Sequence, residues 1–473
     1  MESSPTSIRW HKPDESQTLR ALGTGTSTTI EETISNVQLE TLLRVGIPFA
    51  EGITTAPKLA IELLKLAAEV EHALMVQYLY SAGSVVNAAE PPPDYHRKLL
   101  NVAIQEMGHL ATVQNLLLLL GGPGAIHLQR DPYRDMLSAE NPLPFVLEPA
   151  SRAVLAKDVA AEMPANVPAE LRSKVAELVK LATEAAGVQV HRVGSIYATL
   201  KWMFLPEEAR QWDLAILAPL PEDPITDQDL RPASEVTAFE ARPEEWHADV
   251  ENFILETPHT CAEAVAAIDK IAAQGEGFEN PAGSHFGTFL ELVAALDAGQ
   301  FTTKALATSP TLGGGNGGEG GQEISHLYTR SWGSVFSLQY SLVVLTIYHA
   351  LRTQHAQDGT SGLRPSLVDL VRLGMKKVIR SVSGVCASLP MHDGGPDLAG
   401  PPYDLDPAVL RIADETELVT RHLQLLDDLA VQYAAIENSP EFMSHPTHTN
   451  ELANLRSFDK RRRDLLTPHA TNL

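Results

Sequence analysis

The feature that most constrains this sequence is a glutamate and a histidine one helical turn apart in a stretch that is otherwise apolar. Residues 94–120 have helical periodicity, and Glu106 and His109 share a face with Val102 and Val113. On a solvated face, where such pairs commonly occur by chance, the spacing would mean little. A buried carboxylate, however, needs a partner, and a metal ion held by both side chains supplies one. The pair therefore indicates a metal site inside a helical bundle.

The segment before it predicts a second helix of the same kind. Over residues 57–86, Glu71 lies in an otherwise apolar stripe that runs from Leu64 to Ala82. Three prolines at 91–93 would end this helix before the next one begins, so we expect the two helices to be antiparallel neighbours. One glutamate on one helix and a Glu-x-x-His on the next form half of the carboxylate-bridged dimetal site known from four-helix bundles.

Farther along the chain, the periodicity predicts a third long helix near residues 169–204 and a fourth, interrupted one across 260–298. Between them lies a proline-rich insertion, residues 207–256, in which residues 214–217 predict a short strand. Long segments of this kind beside a bundle are more often functional than idle. We therefore expect the insertion to cover the metal site, with surface decoration as the alternative.

The whole chain divides into four predicted parts. We expect a flexible N-terminal arm at 1–36, a dimetal bundle at 37–300, a glycine-rich linker at 301–325 and a further helical region at 326–473. Glycines crowd the middle of the linker, where ordering them into a helix or strand would cost much backbone entropy. In the last part, helices are predicted near residues 330–352, 364–389, 406–437 and 447–465. The fold class is mainly α.

The charge of the chain argues against two kinds of partner. The sequence has 60 acidic and 36 basic residues and a formal net charge of −24, which disfavours nucleic acid and anionic membranes. No uninterrupted apolar run reaches the roughly 18 residues that cross a bilayer. Two cysteines, Cys261 and Cys386, make neither a disulfide framework nor a zinc site. Since the first residues also lack the pattern of a secretion signal, we expect a cytoplasmic protein with no nucleic-acid or membrane partner.

A complete dimetal site needs further ligands from the third and fourth helices. The third helix offers Glu184, His191 and Ser195 on one face. The fourth offers Glu276 and His285, which are nine positions apart across a break that contains glycine and proline. One regular helix cannot bring these two together, whereas a looped-out turn can. The structural alternatives are a C-terminal turn for Glu276 and a capping position for His285.

Five segments in this order resemble one known family, at residues 71–81, 106–122, 193–197, 274–286 and 389–403. Together they are similar to the ferritin-like iminophenyl-pyruvate dimer synthase family. Its members include portions of large enzymes that couple two oxidised aromatic amino acids in bis-indole pigment pathways. The resemblance implies a ferritin-like four-helix bundle with a long insertion and an additional C-terminal helical region.

The resemblance also implies a set of functional residues. It makes Glu71, Glu106 and His109 both catalytic and metal-ligating, with Glu276 and His285 as further metal ligands. The sequence departs from the expected pattern at Ser195, where a carboxylate or amide is more usual. His191 or Glu184 could then replace the missing ligand, or one metal position would be weakened or empty.

Mixed carboxylate and imidazole ligation suits iron, with manganese as the alternative, and iron is the usual ion for oxygen chemistry. We expect an enzyme, a di-iron oxidoreductase that uses O2 to oxidise or couple a small amino-acid-derived substrate in specialised metabolism. The alternatives are an iron-storage or peroxide-handling protein and a non-catalytic metal-binding or interaction protein. Whether the chain forms a homo-oligomer is left open. Candidate aromatic or apolar pocket residues, with core packing as the alternative, are Tyr78, Tyr197, Trp202, Met203, Phe204 and Trp246.

Overall fold

The computed structural model describes most of the 473 residues. The described ranges are 8–13, 46–87, 94–130, 146–164, 167–187, 193–210, 218–246, 250–275, 283–313, 321–356, 362–412 and 414–470. Helices dominate these ranges, and the mainly α fold class is confirmed. The predicted strand at 214–217, and with it His191 and Glu276, lie outside the described residues.

Two long helices form the centre of the bundle. Helix α1 spans Ala56–Ser84 and helix α2 spans Tyr95–Gly121, close to the predicted limits, and the two pack along most of their length. The side chain of Asp94 accepts a hydrogen bond from the backbone N–H of Arg97 and so caps the start of α2. Gly122, with a φ of 72°, ends it in a conformation that favours glycine.

The remaining bundle helices are shorter than predicted. They are α3 (Arg152–Ala161), α4 (Arg172–Ala186), α5 (Gly194–Phe204), α8 (Cys261–Gly275) and α9 (His285–Asp297). The predicted third helix is therefore two helices, α4 and α5, while the predicted interruption of the fourth is confirmed between α8 and α9. Helix α3 had not been predicted. It packs against α4 and α9, whereas α5 packs against α8 and α1.

The described residues of the insertion form a 3-10 helix (Glu207–Ala209) and two short α-helices, α6 (Ala233–Phe239) and α7 (Pro243–Trp246). From residue 250 the chain continues without helix or strand along α2 until α8 begins. We call residues 251–256 the strap. Its contacts with α2 are described with the site below.

In the part of the chain that the structure describes, three small two-stranded sheets lie around the bundle. Their strands are β1 (Ile8–His11), β2 (Ile47–Ala50), β3 (Val85–Asn87), β4 (Phe301–Thr303), β5 (Pro310–Thr311) and β6 (Gln322–Glu323). The β1–β2 and β3–β4 pairs are antiparallel, and β5–β6 is parallel. Part of the predicted N-terminal arm is thus a strand, because Ile8 pairs with Ala50. Strands also flank the glycine-rich segment of the predicted linker.

The C-terminal region is built around one long helix. Its elements are α10 (Leu327–Arg352), α11 (Leu363–Leu373), a π-helical segment (Gly374–Ile379), α12 (Arg380–Cys386), α13 (Glu415–Glu437) and α14 (Pro446–Ala470). Helix α10 packs against α11 and α13, and α14 packs against α13. The largest apolar cluster is continuous across the whole structure, since it contains Phe289 of the bundle, Val236 of the insertion and Leu426 of this region.

Helix α10 qualifies the expectation that no segment could span a membrane. By length and composition it is apolar enough to cross a bilayer, because scattered small polar residues interrupt its apolar runs without lowering its mean hydropathy much. Within the described structure, 83% of its most apolar 18-residue window is buried. Burial of this degree is typical of the core helix of a folded domain, which explains the composition of α10.

Candidate metal centre

Two groups of buried carboxylates and histidines meet in the bundle and share one residue. The first group contains Glu71, Glu106 and His109, and the second contains Glu106, Glu162 and His285. Within each group, one possible ligand atom from every residue lies within 4.8 Å of the others. All five side chains are buried, and the most exposed of them, Glu162, is only 3% exposed.

Glu106 divides its two oxygens between the two groups. Its Oε2 lies 2.8 Å from His109 Nδ1, and its Oε1 lies 3.0 Å from His285 Nδ1. The other carboxylates flank these contacts, with Glu71 Oε2 at 3.5 Å from His109 Nδ1 and Glu162 Oε1 at 3.7 Å from His285 Nδ1. This is the arrangement in which one carboxylate can bridge two adjacent metal ions.

Three buried atoms of the site make no hydrogen bond of good geometry: Glu71 Oε2, and the Glu106 Oε1 and His285 Nδ1 atoms that lie 3.0 Å apart as an ion pair. Buried polar atoms are rarely left unpaired in folded proteins, because each loses its bonds to water. All three atoms belong to residues of the two groups. The residues therefore fit a pair of metal ions, and their mixed oxygen and nitrogen donors suit iron or manganese.

Burial and neighbouring charges shift the pKa values of the ionisable groups in the site in different directions. Burial and the neighbouring carboxylate of Glu106 raise the pKa of Glu71 to about 7. Burial alone would lower the pKa of His285, but the carboxylate of Glu106 outweighs it and raises that pKa to about 9. For Glu106 itself, burial acts to raise the pKa, but His285 and His109 lower it more, so that it lies well below its ordinary value. The site is thus a cluster of ions whose protons a metal would displace.

Two tyrosines bond to the outer carboxylates. Tyr197 on α5 donates a hydrogen bond to Glu71 Oε1, and Tyr78 on α1 donates one to Glu162 Oε1 at 2.7 Å. Burial, together with the carboxylate that each one contacts, raises the pKa of both phenols. The sequence had suggested both tyrosines as residues that line a pocket. The other apolar candidates on α5, Trp202, Met203 and Phe204, are buried in the core.

His72 is next to Glu71 in sequence but does not belong to the site. Its Nδ1 donates to the carbonyl oxygen of Leu128 at 3.2 Å, and its Nε2 lies 2.6 Å from the hydroxyl of Tyr340 on α10. Burial and the nearby charge of Arg130 lower the pKa of His72 to about 3. The imidazole is therefore neutral and accepts from Tyr340, which joins the bundle to the C-terminal region.

The structure brings together Glu71, Glu106 and His109, which their spacing had suggested, and His285, which the family resemblance had implied. Glu184 is different, and its proposed role as a replacement ligand is wrong for this structure. Its side chain is 63% exposed on α4, with Lys180 Nζ at 3.8 Å. The prediction assumed one continuous helix over 169–204, whereas α4 ends at Ala186 and α5 begins at Gly194. Ser195, on α5, is buried.

Glu162 supplies a carboxylate that sequence reasoning missed. It directly follows helix α3, which begins after Ser151, whose side chain accepts from the N–H of Val154. Helix α3 is buried on nearly every side, so it lacks the amphipathic pattern that identifies surface helices. The available signals were the serine cap and the paired acids Asp158 and Glu162 in a stretch of alanine and valine.

The cavity at the site is very small. It has a volume of about 20 Å³ and is lined by Glu71, Leu74, Glu106, His109, Glu162, Val193, Gly194, Tyr197, Ile271, Ala272 and Gly275. A cavity of this size holds about one water molecule. In the described conformation, the cavity is far too small for an aromatic amino acid.

The strap lies directly against the polar side of α2. Thr112 Oγ1 accepts from the N–H of Glu256 at 3.0 Å, and Asn115 Nδ2 donates to the carbonyl of Glu256 at 2.7 Å. Between the two ligands of α2, Gly108 allows the backbone to approach, because a Cβ there would lie 2.2 Å from the carbonyl oxygen of Ile254. Part of the insertion therefore covers the helix that carries Glu106 and His109.

We expect Gly108→Ala to push the strap away from α2 and to weaken metal binding. The new methyl group would overlap a backbone oxygen, which cannot rotate away, so the cost should be about 1–3 kcal/mol of stability. Cobalt(II) titration and urea unfolding measure the two effects. Gly83→Ala is the matched control, since a Cβ at Gly83 of α1 meets nothing within 4 Å. Parent-like metal affinity in Gly108→Ala would contradict a role for the strap.

Metal should stabilise the protein more as the pH rises. Without metal, Glu71 (pKa raised from 4.5 to about 7) and His285 (from 6.5 to about 9) hold their protons more tightly in the folded chain than in the unfolded one. Their contribution to stability is therefore present at low pH and is lost as the pH rises through 7 and then 9. Bound metal reverses this trend by displacing the protons. The difference in Tm between metal-loaded and metal-free protein should grow from about pH 6 to about pH 8.5. A constant difference would contradict the assignment.

Comparison with known proteins agrees with this geometry. The model of the ferritin-like family matches residues 64–294, which include all five residues of the two groups. A search of curated proteins found no match, and a search of solved structures found none. The match, the helical bundle and the shared carboxylate agree, and residues 64–294 are therefore similar to ferritin-like domains in sequence and in fold.

Proposed function

We propose that this protein is a non-haem di-iron oxidoreductase that uses O2 to oxidise or couple a small amino-acid-derived substrate. The observation that carries the proposal is the division of Glu106 between two groups of ligands, each with a second carboxylate and one histidine. Iron bound there would supply the capacity to reduce oxygen by electron transfer. The similarity of five sequence segments to the iminophenyl-pyruvate dimer synthases supports an amino-acid-derived substrate, and manganese is the alternative metal.

The residues around the site have roles that follow from their contacts. Tyr197 and Tyr78 hold the outer carboxylates by donating hydrogen bonds to Glu71 and Glu162. The apolar lining, which includes Leu74 and Ile271, excludes bulk water and so protects reactive oxygen species from unproductive decay. The strap contacts α2 at Gly108, Thr112 and Asn115, consistent with a covering role for the insertion. A cytoplasmic location stays a prediction, and whether the chain forms a homo-oligomer stays open.

A second candidate function is peroxide or iron handling without an organic substrate. The size of the cavity, about 20 Å³, favours it, because the described conformation accommodates only very small molecules. Organic substrate could reach the metals only after the lining at Val193, Gly194 and Gly275 opens.

The test supplies iron(II)-loaded protein with aromatic α-amino or α-imino acids, with and without air, while oxygen and products are measured. We expect product only when both iron and oxygen are present. Glu106→Gln is the inactive comparison, and Glu184→Gln, at an exposed position, should match the parent protein. Consumption of peroxide with no organic product would favour the second candidate. Equal product without oxygen or iron would contradict an oxidative function.

A further inference from the structure

We propose that Gln105 and Gln274 are positioning residues that fix the protonation of the two metal-centre histidines, and that the strap holds both glutamines in place. The proposal rests on the metal centre of the proposed function. It concerns side chains outside the two ligand groups, and it assigns each glutamine to one metal position. Gln274 acts through His109, and Gln105 acts through His285.

The first pair lies between α2 and α8. His109 Nε2 is 2.9 Å from Gln274 Oε1, on the side of the ring opposite Glu106. The amide Nε2 of Gln274 donates to the backbone carbonyl of Asn252 at 2.7 Å. Both the histidine and the glutamine are buried. The amide oxygen of Gln274 therefore contacts the imidazole, and its amide nitrogen donates to the strap.

The second pair repeats this arrangement one residue earlier in the strap. His285 Nε2 is 3.2 Å from Gln105 Oε1, and Gln105 Nε2 donates to the backbone carbonyl of Glu251 at 2.9 Å. Residues 251 and 252 are consecutive, and Asn252 has a positive φ of 59°. Asparagine tolerates this conformation better than most residues. The turn lets successive carbonyls accept from glutamines on two different helices.

The carbonyls of the strap determine which way each amide is oriented. A backbone carbonyl only accepts hydrogen bonds, so the amide nitrogen must face it and the amide oxygen must face the histidine. The amide oxygen can only accept a hydrogen bond, so the histidine Nε2 that faces it must carry a proton. The Nδ1 atom of each ring is then left to face the carboxylates, at 2.8 Å for His109 and 3.0 Å for His285. A histidine that binds metal through one nitrogen commonly donates from the other to such an oxygen.

The experiment titrates cobalt(II) into the metal-free parent protein and its variants and records the d–d absorption of each binding phase. We expect Gln274→Leu to weaken one phase about 10- to 100-fold and Gln105→Leu to weaken the other, since removal of such a partner typically costs this much affinity. Gln274→Glu and Gln105→Glu should bind at least about tenfold more tightly than the leucine variants, because a carboxylate still accepts from the imidazole.

The control is Gln114→Leu. Gln114 lies on α2 like Gln105 and is buried like Gln274, but its two amide atoms bond to the backbone of His127 and not to a histidine ring of the two groups. Its variant should bind cobalt like the parent protein even if it is less stable.

Three results would overturn the proposal while leaving the metal centre intact. They are parent-like affinity in both leucine variants, an equal loss in Gln114→Leu, and glutamate variants as weak as the leucine ones. The last result would mean that the glutamines only anchor the strap, since glutamate cannot donate to the strap carbonyls. If the parent protein binds neither cobalt nor iron, the metal centre and the positioning role are both wrong. This outcome is distinct from the three above, in which the parent protein binds metal and only the positioning role fails.

Discussion

Replacing Glu106 with alanine is expected to abolish the binding of both metal ions. Glu106 provides one oxygen to each group of ligands, so its loss leaves each position with one carboxylate and one histidine. His109→Ala and His285→Ala should each remove one ion, because each histidine belongs to a single group. Metal analysis of the purified proteins gives the stoichiometry. The apolar core should keep all three variants folded, which circular dichroism checks.

Two further variants make this prediction specific. Glu106→Gln preserves the volume of the side chain but supplies only one strong donor oxygen, so it should also lose the bridge. Glu184→Ala changes an exposed carboxylate of α4 and should retain both ions. Two ions per chain in Glu106→Ala would contradict a shared carboxylate, and one remaining ion would show that Glu106 serves only one of the two positions.

Replacing Arg364 with methionine should destabilise the protein by about 3–5 kcal/mol. The guanidinium group is fully buried and donates to the backbone carbonyls of Phe239, Glu240, Ala350 and Thr353. It also pairs with the carboxylate of Glu245, with Nη2 and Oε2 3.2 Å apart. Methionine would leave these acceptors buried without their donor. Urea unfolding measures the change in the free energy of unfolding.

Arg372→Met is the matched control for Arg364→Met. Arg372 is exposed on the same helix, α11, so its replacement should change stability by less than about 0.5 kcal/mol. Because Arg364 ties the insertion at 239–245 to the C-terminal region, its loss should also increase proteolysis within the insertion. A small effect at Arg364 would mean that water replaces the lost hydrogen bonds.

The sequence predicted the long bundle helices well because their signals are local. Residues 57–86 and 94–120 correspond closely to α1 and α2. The apolar stripes run along most of both helices, and α2 ends at a clear stop signal, Gly122. Glu71, Glu106 and His109 lie within these stripes, so their convergence followed once the two helices packed together. His285 was implied only by the family resemblance, because it lies at the first turn of α9 beyond the interruption and its spacing alone gave a weak signal.

Features that depend on tertiary contacts could not be predicted from local pattern. Helix α3 has no amphipathic face because neighbouring helices cover it on nearly every side, so Glu162 at its end had no recognisable context. The long helix predicted over 169–204 combined α4 and α5, since a periodic pattern does not show a change in chain direction. The paired glutamines depend on the strap, whose path along α2 is set by a close approach at Gly108.

The most direct test of the shared metal centre is a crystal structure of the protein soaked anaerobically in iron(II), with anomalous diffraction measured at the iron edge. We predict two anomalous peaks on either side of the Glu106 carboxylate. One should lie among Glu71, Glu106 and His109, and the other among Glu106, Glu162 and His285. An empty cluster, or iron bound only at exposed acidic side chains, would contradict the account.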